Sequence, residues 1–168
     1  MSNAASTIND AEITRKFFKT VQNKLHFAIS GKTAAQLIAE RAGAEKPNMG
    51  LHTWKNSPSG KILKSDIGIA KNYLVEKEIK ELERVVAMYL DFAELQASRQ
   101  IPMKMADWVS RLDAFLQFNE YEVLKDGGNI SHEVVVKLAE EVYDKFRVIQ
   151  DQNFESDFDK EIKKINKK

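Results

Sequence analysis

Apolar residues recur along this chain at steps of three and four, and no convincing alternation of apolar with polar positions appears. Steps of three and four put side chains on one face of an α-helix, whereas alternation marks a strand. Ile13, Phe17, Val21 and Leu25, with Phe18 and Ile29 close to the same face, predict an amphipathic helix over 9–29. Ser30-Gly31 ends it, glycine being the usual residue just past a helix. Thr33 with Gln36 reads as a capping box that opens a short helix through Leu37, Ile38 and Ala42, stopped near Gly43. Residues 45–64 hold two Pro, two Gly and two Asn and predict one long basic loop. Loops of that length inside a compact domain are uncommon and often functional. Ser65 or Asp66 then caps a short helix with Ile67, Ala70 and Leu74 inside. A longer helix over 76–100 presents Ile79, Leu82, Val86, Tyr89, Leu90 and Ala93, and Pro102 breaks it. Another over 104–124 carries Trp108, Leu112, Phe115, Leu116 and Val123, with Phe118 also read as core. Asp126-Gly127-Gly128-Asn129 reads as a turn, and Ser131 caps the last and longest helix.

That last helix sets Val135, Leu138, Val142, Phe146 and Ile149 on one face, and the pattern resumes at Phe154, Phe158, Ile162 and Ile165. The step between Ile149 and Phe154 breaks register, and Gln150-Asp151-Gln152-Asn153 is polar and weakly helical, so a bend or break is expected there. The fold class predicted is all-α: an irregular bundle of about six or seven helices with one long basic loop and a long C-terminal helix that bends or breaks. Residues 1–8 read as a disordered or tag-derived leader, 9–150 as the helical domain and 151–168 as a C-terminal helical extension. The stripe Phe154, Phe158, Ile162 and Ile165 is too apolar to stay in water: it packs back on the domain, or it is the candidate partner-binding surface toward a second copy or another protein.

Composition narrows the class. The chain has 168 residues, 43% hydrophobic and 30% charged, the profile of an ordinary soluble globular domain. Cysteine is absent, which excludes disulfides, thiolate metal sites and a Cys nucleophile and fits a reducing, cytoplasmic setting. No apolar run approaches the roughly 20 residues of a membrane helix, and the start lacks the basic and apolar regions of a signal peptide. The formal net charge is only +1, yet residues 14–64 carry ten Lys or Arg against Glu40 and Glu45, while 65–168 carry 16 against 21 acidic residues. A basic first third beside an acidic remainder suggests either a nucleic-acid surface or internal packing of opposite charges.

Candidate chemistry is sparse. Ser30-Gly31-Lys32-Thr33 imitates the end of a phosphate-binding loop, but His26 stands where the motif needs its first Gly and a helix precedes it. His26, His52 and His132 lie on separate elements with no metal-ligand spacing, so no metal and no cofactor is expected. His26 and His52 remain pocket candidates for an enzyme, although no catalytic set is assigned and a non-enzyme is the preferred reading. The pairs Asp91/Glu94 and Glu140/Glu141/Asp144 read as solvated helix faces rather than acid–base machinery. The segment around Trp54 and Lys55 is the best functional candidate. Lys can neutralise phosphates and Trp can stack on an unpaired base, but the preferred reading is that a buried Trp54 pins the loop to the core, with the lysines outside. The candidate nucleic-acid-binding set is Lys32, Arg41, Lys46, Trp54, Lys55, Lys61, Lys64 and Lys71.

Several stretches resemble one bacterial family. They include Phe17-Phe18-Lys19-Thr20-Val21-Gln22-Asn23-Lys24-Leu25-His26-Phe27-Ala28-Ile29, Lys46-Pro47-Asn48-Met49-Gly50-Leu51 and Thr53-Trp54-Lys55. Ala70-Lys71-Asn72-Tyr73-Leu74, Asp113-Ala114-Phe115-Leu116-Gln117-Phe118-Asn119-Glu120, Ile130-Ser131-His132 and Arg147-Val148-Ile149-Gln150-Asp151 continue the likeness. Together they resemble the RhuM virulence-protein family, collinearly over about residues 12–160. The resemblance implies a protein of pathogenicity islands and mobile elements, and it carries over no catalytic residue. Longer members join a DNA-binding-like module to this region, so the chain is expected to be a C-terminal domain. Some relatives of that module are joined to AMP-transferring domains, whose His-Pro-Phe signature is not present here. The leading expectation is a helical association domain, self- or partner-binding, linked to DNA regulation. A nucleic-acid-binding domain using the basic segment 14–71 and an uncharacterised enzyme are the alternatives.

Overall fold

A computed structural model describes residues 2–125 and 131–167. The turn read at Asp126-Gly127-Gly128-Asn129 lies outside the described residues. The described chain is all-helical, with no strand. Its α-helices are α1 (Ser2–Ser30), α2 (Ala34–Arg41), α3 (Glu76–Ser98), α4 (Met105–Phe118), α5 (His132–Asn153) and α6 (Asp157–Asn166). The stretch between α2 and α3 contains only the short 3-10 turns Pro47–Gly50, Lys64–Asp66 and Ala70–Tyr73.

The chain divides into two compact units. Unit 1 comprises Met1–Gln36 and Val75–Asn129, and unit 2 comprises Leu37–Leu74 and Ile130–Lys168. In unit 1, α1 packs on α3 and α4. Val85, Leu112 and Leu116 are buried at its centre, with Val21, Leu25, Ile29 and Phe115 against them. Burying such side chains contributes roughly 1.5–3 kcal/mol each. Polar groups also enter this core. Lys24 is buried, its Nζ 2.8 Å from Asp113 Oδ1 and donating to the carbonyl of Leu124 at 2.9 Å. Tyr89 donates its hydroxyl to the Trp108 carbonyl at 2.6 Å and sets its ring against Trp108 and Phe115, which ties α3 to α4.

Helix ends follow backbone accounting: the first N–H groups of a helix need outside acceptors. Thr33 and Gln36 exchange bonds as read, Gln36 N to Thr33 Oγ1 at 3.3 Å and Thr33 N to Gln36 Oε1 at 2.9 Å. Glu78 and Asp107 reach back to the amides of Val75 and Lys104. Ser156 with Asp159 forms a full capping box on α6, a Ser-x-x-Asp signal that the periodicity argument passes over. Gly31 takes φ +74 as α1 ends, as glycine permits. Helix α1 opens at Ser2 rather than near residue 9, with neither Gly nor Pro before Ser30 to interrupt it.

Several expected details differ. Helix α4 ends at Phe118 instead of near Leu124, because Glu120 turns to φ +66 and closes it without a glycine. The helix expected after Ser65 is a pair of 3-10 turns around Gly68. Ser131 occupies the N-cap of α5 but its side chain accepts no capping bond. Helix α5 buries Val135, Ala139, Tyr143 and Phe146, while Leu138 (50%) and Ile149 (47%) stay exposed. The break falls at Phe154–Ser156, just after the polar run, since Ser156 caps a new helix. Phe118, read as core, is 86% exposed at the end of α4.

Candidate functional site

Unit 2 builds its surface on the loop between α2 and α3. Gly50 sits at φ +90, and a Cβ there would lie 2.0 Å from the Arg41 carbonyl oxygen, so the loop leaves α2 by backbone contact. Met49 beside it is fully buried at φ 60. Trp54 is buried and donates its indole N–H to the Gly60 carbonyl at 2.8 Å, closing the turn it opens. Asp66 is buried as well. Its carboxylate accepts the amides of Lys55 (3.1 Å) and Leu63 (2.7 Å), and its carbonyl accepts Asn72 Nδ2 (3.0 Å). Three points of the irregular chain thus converge on one aspartate.

Helix α5 fixes the far side of the loop. The Gln150 carboxamide pairs with the backbone of Ile62, accepting its N–H at 2.8 Å and donating to its carbonyl at 3.0 Å. Tyr143 donates to the same carbonyl at 3.2 Å. Lys61 bonds Asp151 at 2.9 Å, and its ammonium lies 4.9 Å from the centre of the Phe154 ring. That contact holds the Asp151 carboxyl below its usual range, first through the hydrogen bond from Lys61. A cleft of about 270 Å³ lies here, lined by Trp54, Pro58, Lys61, Phe146, Gln150 and Phe154 among others.

This geometry sorts the sequence candidates. Arg41 donates to the Tyr73 carbonyl at 3.0 Å, and Lys46 caps the end of α2 through the carbonyls of Glu40 (3.1 Å) and Arg41 (3.0 Å). Lys61 is paired with Asp151, and Trp54 lies in the core with its N–H bonded. Lys55, Lys64 and Lys71 are exposed, and their ammonium groups bond nothing among the described residues. Lys32 belongs to unit 1 and the other seven to unit 2. His26 is buried in unit 1, whereas His52 is exposed in unit 2 with its amide bonded to the Asn72 carbonyl at 2.7 Å. No group of three or more His, Asp or Glu able to hold a metal ion occurs among the described residues.

The partner-binding candidates also separate. Phe154 closes α5 and carries the Lys61 ammonium on its ring, so it belongs to the cleft. On α6, Phe158 (72%), Ile162 (40%) and Ile165 (70%) are exposed on one stripe. Asp66, Gln150 and Lys24 are the residues that sequence reasoning passed over. Sequence reasoning places Asp66 only as a candidate helix cap, and nothing local marks the roles of the other two.

The sequence model of the Virulence protein RhuM family matches residues 4–155 of the chain. The chain belongs to that family. The match draws on both units and stops ahead of α6. It agrees with the resemblance read from the sequence, and membership suggests that this RhuM-family protein is virulence-associated. Comparison with curated proteins and with solved structures gives no match. No helix among the described residues is long and apolar enough to cross a membrane.

Proposed function

We propose that this RhuM-family protein works by association, pairing two copies through α6. The observation that carries the reading is the exposed stripe Phe158, Ile162 and Ile165, spaced four and three apart on a helix whose start is fully capped. Four-three spacing is the seam of a two-helix pairing. A formed helix presenting such a seam to water gains by covering it, at about 25 cal/mol per Å² of apolar surface. The helix has 10 residues, which is about 15 Å of length, so the interface is smaller than the roughly 1,200 Å² of standard complexes. The dimer should therefore be weak, with Kd on the order of 100 μM. Light scattering over a concentration series tests this. The mass should climb toward a dimer in the wild type and stay monomeric in Phe158→Asp/Ile162→Asp. A wild-type chain that stays monomeric well above that Kd would sink the reading.

A second reading, nucleic-acid binding, is favoured by Lys55, Lys64 and Lys71, three exposed and uncommitted cations on the irregular surface of unit 2. Three phosphate contacts on duplex DNA give a slope of log K against log salt of about −2.7. Anisotropy with labelled single- and double-stranded DNA should show that slope and lose it in Lys55→Glu/Lys64→Glu/Lys71→Glu. Absence of binding at low salt removes this reading and leaves the first untouched.

A further inference from the structure

The end of α3 and the outer face of α4 form a second concave surface, wholly within unit 1. Phe92 and Gln96 on α3 and Arg99 at its C-cap follow one another at helical steps, and Arg111, Phe115 and Phe118 do so on α4. Between them lie two adjoining lobes of about 490 Å³ each, which share Gln96, Ile101 and Arg111. The apolar lobe is lined by Arg99 and Arg111 together with Phe92, Phe115 and Phe118. Asp107 and Ser110 line only the other, polar lobe. The frame is rigid, because the Tyr89 hydroxyl bonds the Trp108 carbonyl and Phe92 packs edge-on to the Trp108 ring.

Three features of this groove bear on what it could hold. Gln96 is only 7% exposed, yet its single side-chain bond is from Nε2 to the Met103 sulfur at 3.4 Å. A thioether is a weak acceptor, and no donor reaches the amide oxygen among the described residues. That oxygen is reached by water in the lobes Gln96 lines, and Nε2 carries a second hydrogen beyond the one given to Met103. The guanidinium groups of Arg99 and Arg111 make no hydrogen bond or ion pair among the described residues. Phe118 holds its ring 86% exposed at the mouth of the same lobe.

We propose that this groove binds a small amphiphilic carboxylate: an apolar, aromatic-sized body against Phe92, Phe115 and Phe118, with its carboxylate held by Arg99 and Arg111 and a further bond donated by the second Nε2 hydrogen of Gln96. Guanidinium forks match a carboxylate in two parallel hydrogen bonds. The surroundings select a single negative charge over a polyanion. Residues 75–125 hold ten Asp or Glu against seven Lys or Arg, and Asp107 borders the neighbouring lobe. A chain of phosphates reaching into the polar lobe would meet Asp107, whereas one carboxylate between the two arginines does not.

The test uses 3-phenylpropionate as probe and its neutral amide as control, followed by amide-resonance shifts on the whole chain. Saturable shifts confined to the α3 end and α4 are expected, with Kd on the order of 1 mM. The neutral amide should bind at least about tenfold more weakly, as should Arg99→Ala and Arg111→Ala, since each removes charge-assisted bonds. Arg111→Lys should fall between, keeping the charge and losing the fork. Gln96→Leu should weaken binding too, and the two arginine variants, made on the surface, carry the conclusion if that buried change disturbs folding. Equal binding of acid and amide overturns the proposal, as do unchanged affinity in both arginine variants and the absence of saturable shifts. Tighter, salt-dependent binding of an oligothymidylate at the same residues would assign the groove to nucleic acid and overturn it as well.

Discussion

Asp66→Ala should loosen unit 2 more than any surface change of similar size. The wild-type carboxylate is 3% exposed and accepts the amides of Lys55 and Leu63 at 3.1 and 2.7 Å. Hydrogen bonds to a charged group contribute about 1.5–3 kcal/mol each, and an amide left without an acceptor costs about 1–3 kcal/mol. The side chains of Lys55 and Leu63 are exposed, so water can reach part of the freed backbone. The expected loss is therefore about 2–4 kcal/mol rather than the full sum. Asp66→Asn keeps one acceptor oxygen and turns an NH2 group toward a second donor, so it should lose about half as much. Urea unfolding followed by fluorescence measures both. Trp54 lies in unit 2 and Trp108 in unit 1, so a Trp108→Phe background reports unit 2 alone. A loss under ~0.5 kcal/mol for Asp66→Ala, or equal stability of the Asn variant and the wild type, would refute the view that this carboxylate organises the loop.

Other outcomes follow from the backbone and the tyrosines. Gly50→Ala combines φ +90 with a Cβ 2.0 Å from the Arg41 oxygen, so it should cost more than about 3 kcal/mol or abolish folding, read from the same urea curves. Glu120→Gly should instead stabilise by up to about 1 kcal/mol, because Glu120 stands at φ +66 where an L side chain is disfavoured; a lowered thermal midpoint would contradict this. All four tyrosines hold their protons more tightly than the ordinary value of 10.0. Burial pushes Tyr89 and Tyr121 up to about 12, with Glu81 adding to the shift at Tyr121, and burial raises Tyr73 and Tyr143 as well. The stability tied to these protons is complete below the unfolded value of 10.0 and falls as pH rises through about 12. Phenolate absorbance should therefore stay low near pH 10 in buffer and rise there in denaturant; titration at 10 in the folded protein would contradict their burial.

Helix positions were legible because periodicity reports them directly, while faces and ends were less so. Along α5 two apolar rows run side by side, Val135-Ala139-Tyr143-Phe146 and Val134-Leu138. Ranking by hydrophobicity alone favours Leu138 over Ala139. Packing favours the small Ala139 and the long Tyr143, whose hydroxyl reaches the Ile62 carbonyl. The end of α4 carried no glycine, because Glu120 takes the left-handed turn itself. Phe118, which continues the apolar spacing of that helix, lies past the last buried turn and opens onto the groove.

The candidate sites were less legible for a related reason: counting charges does not say what each charge is already bonded to. The basic stretch predicts eight contacts for nucleic acid, counting Trp54. In the fold Arg41 and Lys46 hold carbonyls, Lys61 holds Asp151 and Trp54 holds Gly60. A long irregular loop has many backbone groups without helical partners, and cations and buried side chains nearby are recruited to satisfy them. Such a loop is therefore basic partly for its own construction. Unit 1 shows the converse. Its stretch 75–125 is acidic in sum, yet Arg99 and Arg111 stand there unbonded among the described residues, beside Gln96, whose Nε2 bonds the Met103 sulfur. Among the described residues folding leaves cations unpaired in both settings, Lys55, Lys64 and Lys71 in a basic loop and Arg99 and Arg111 in an acidic stretch, so net charge alone does not locate them.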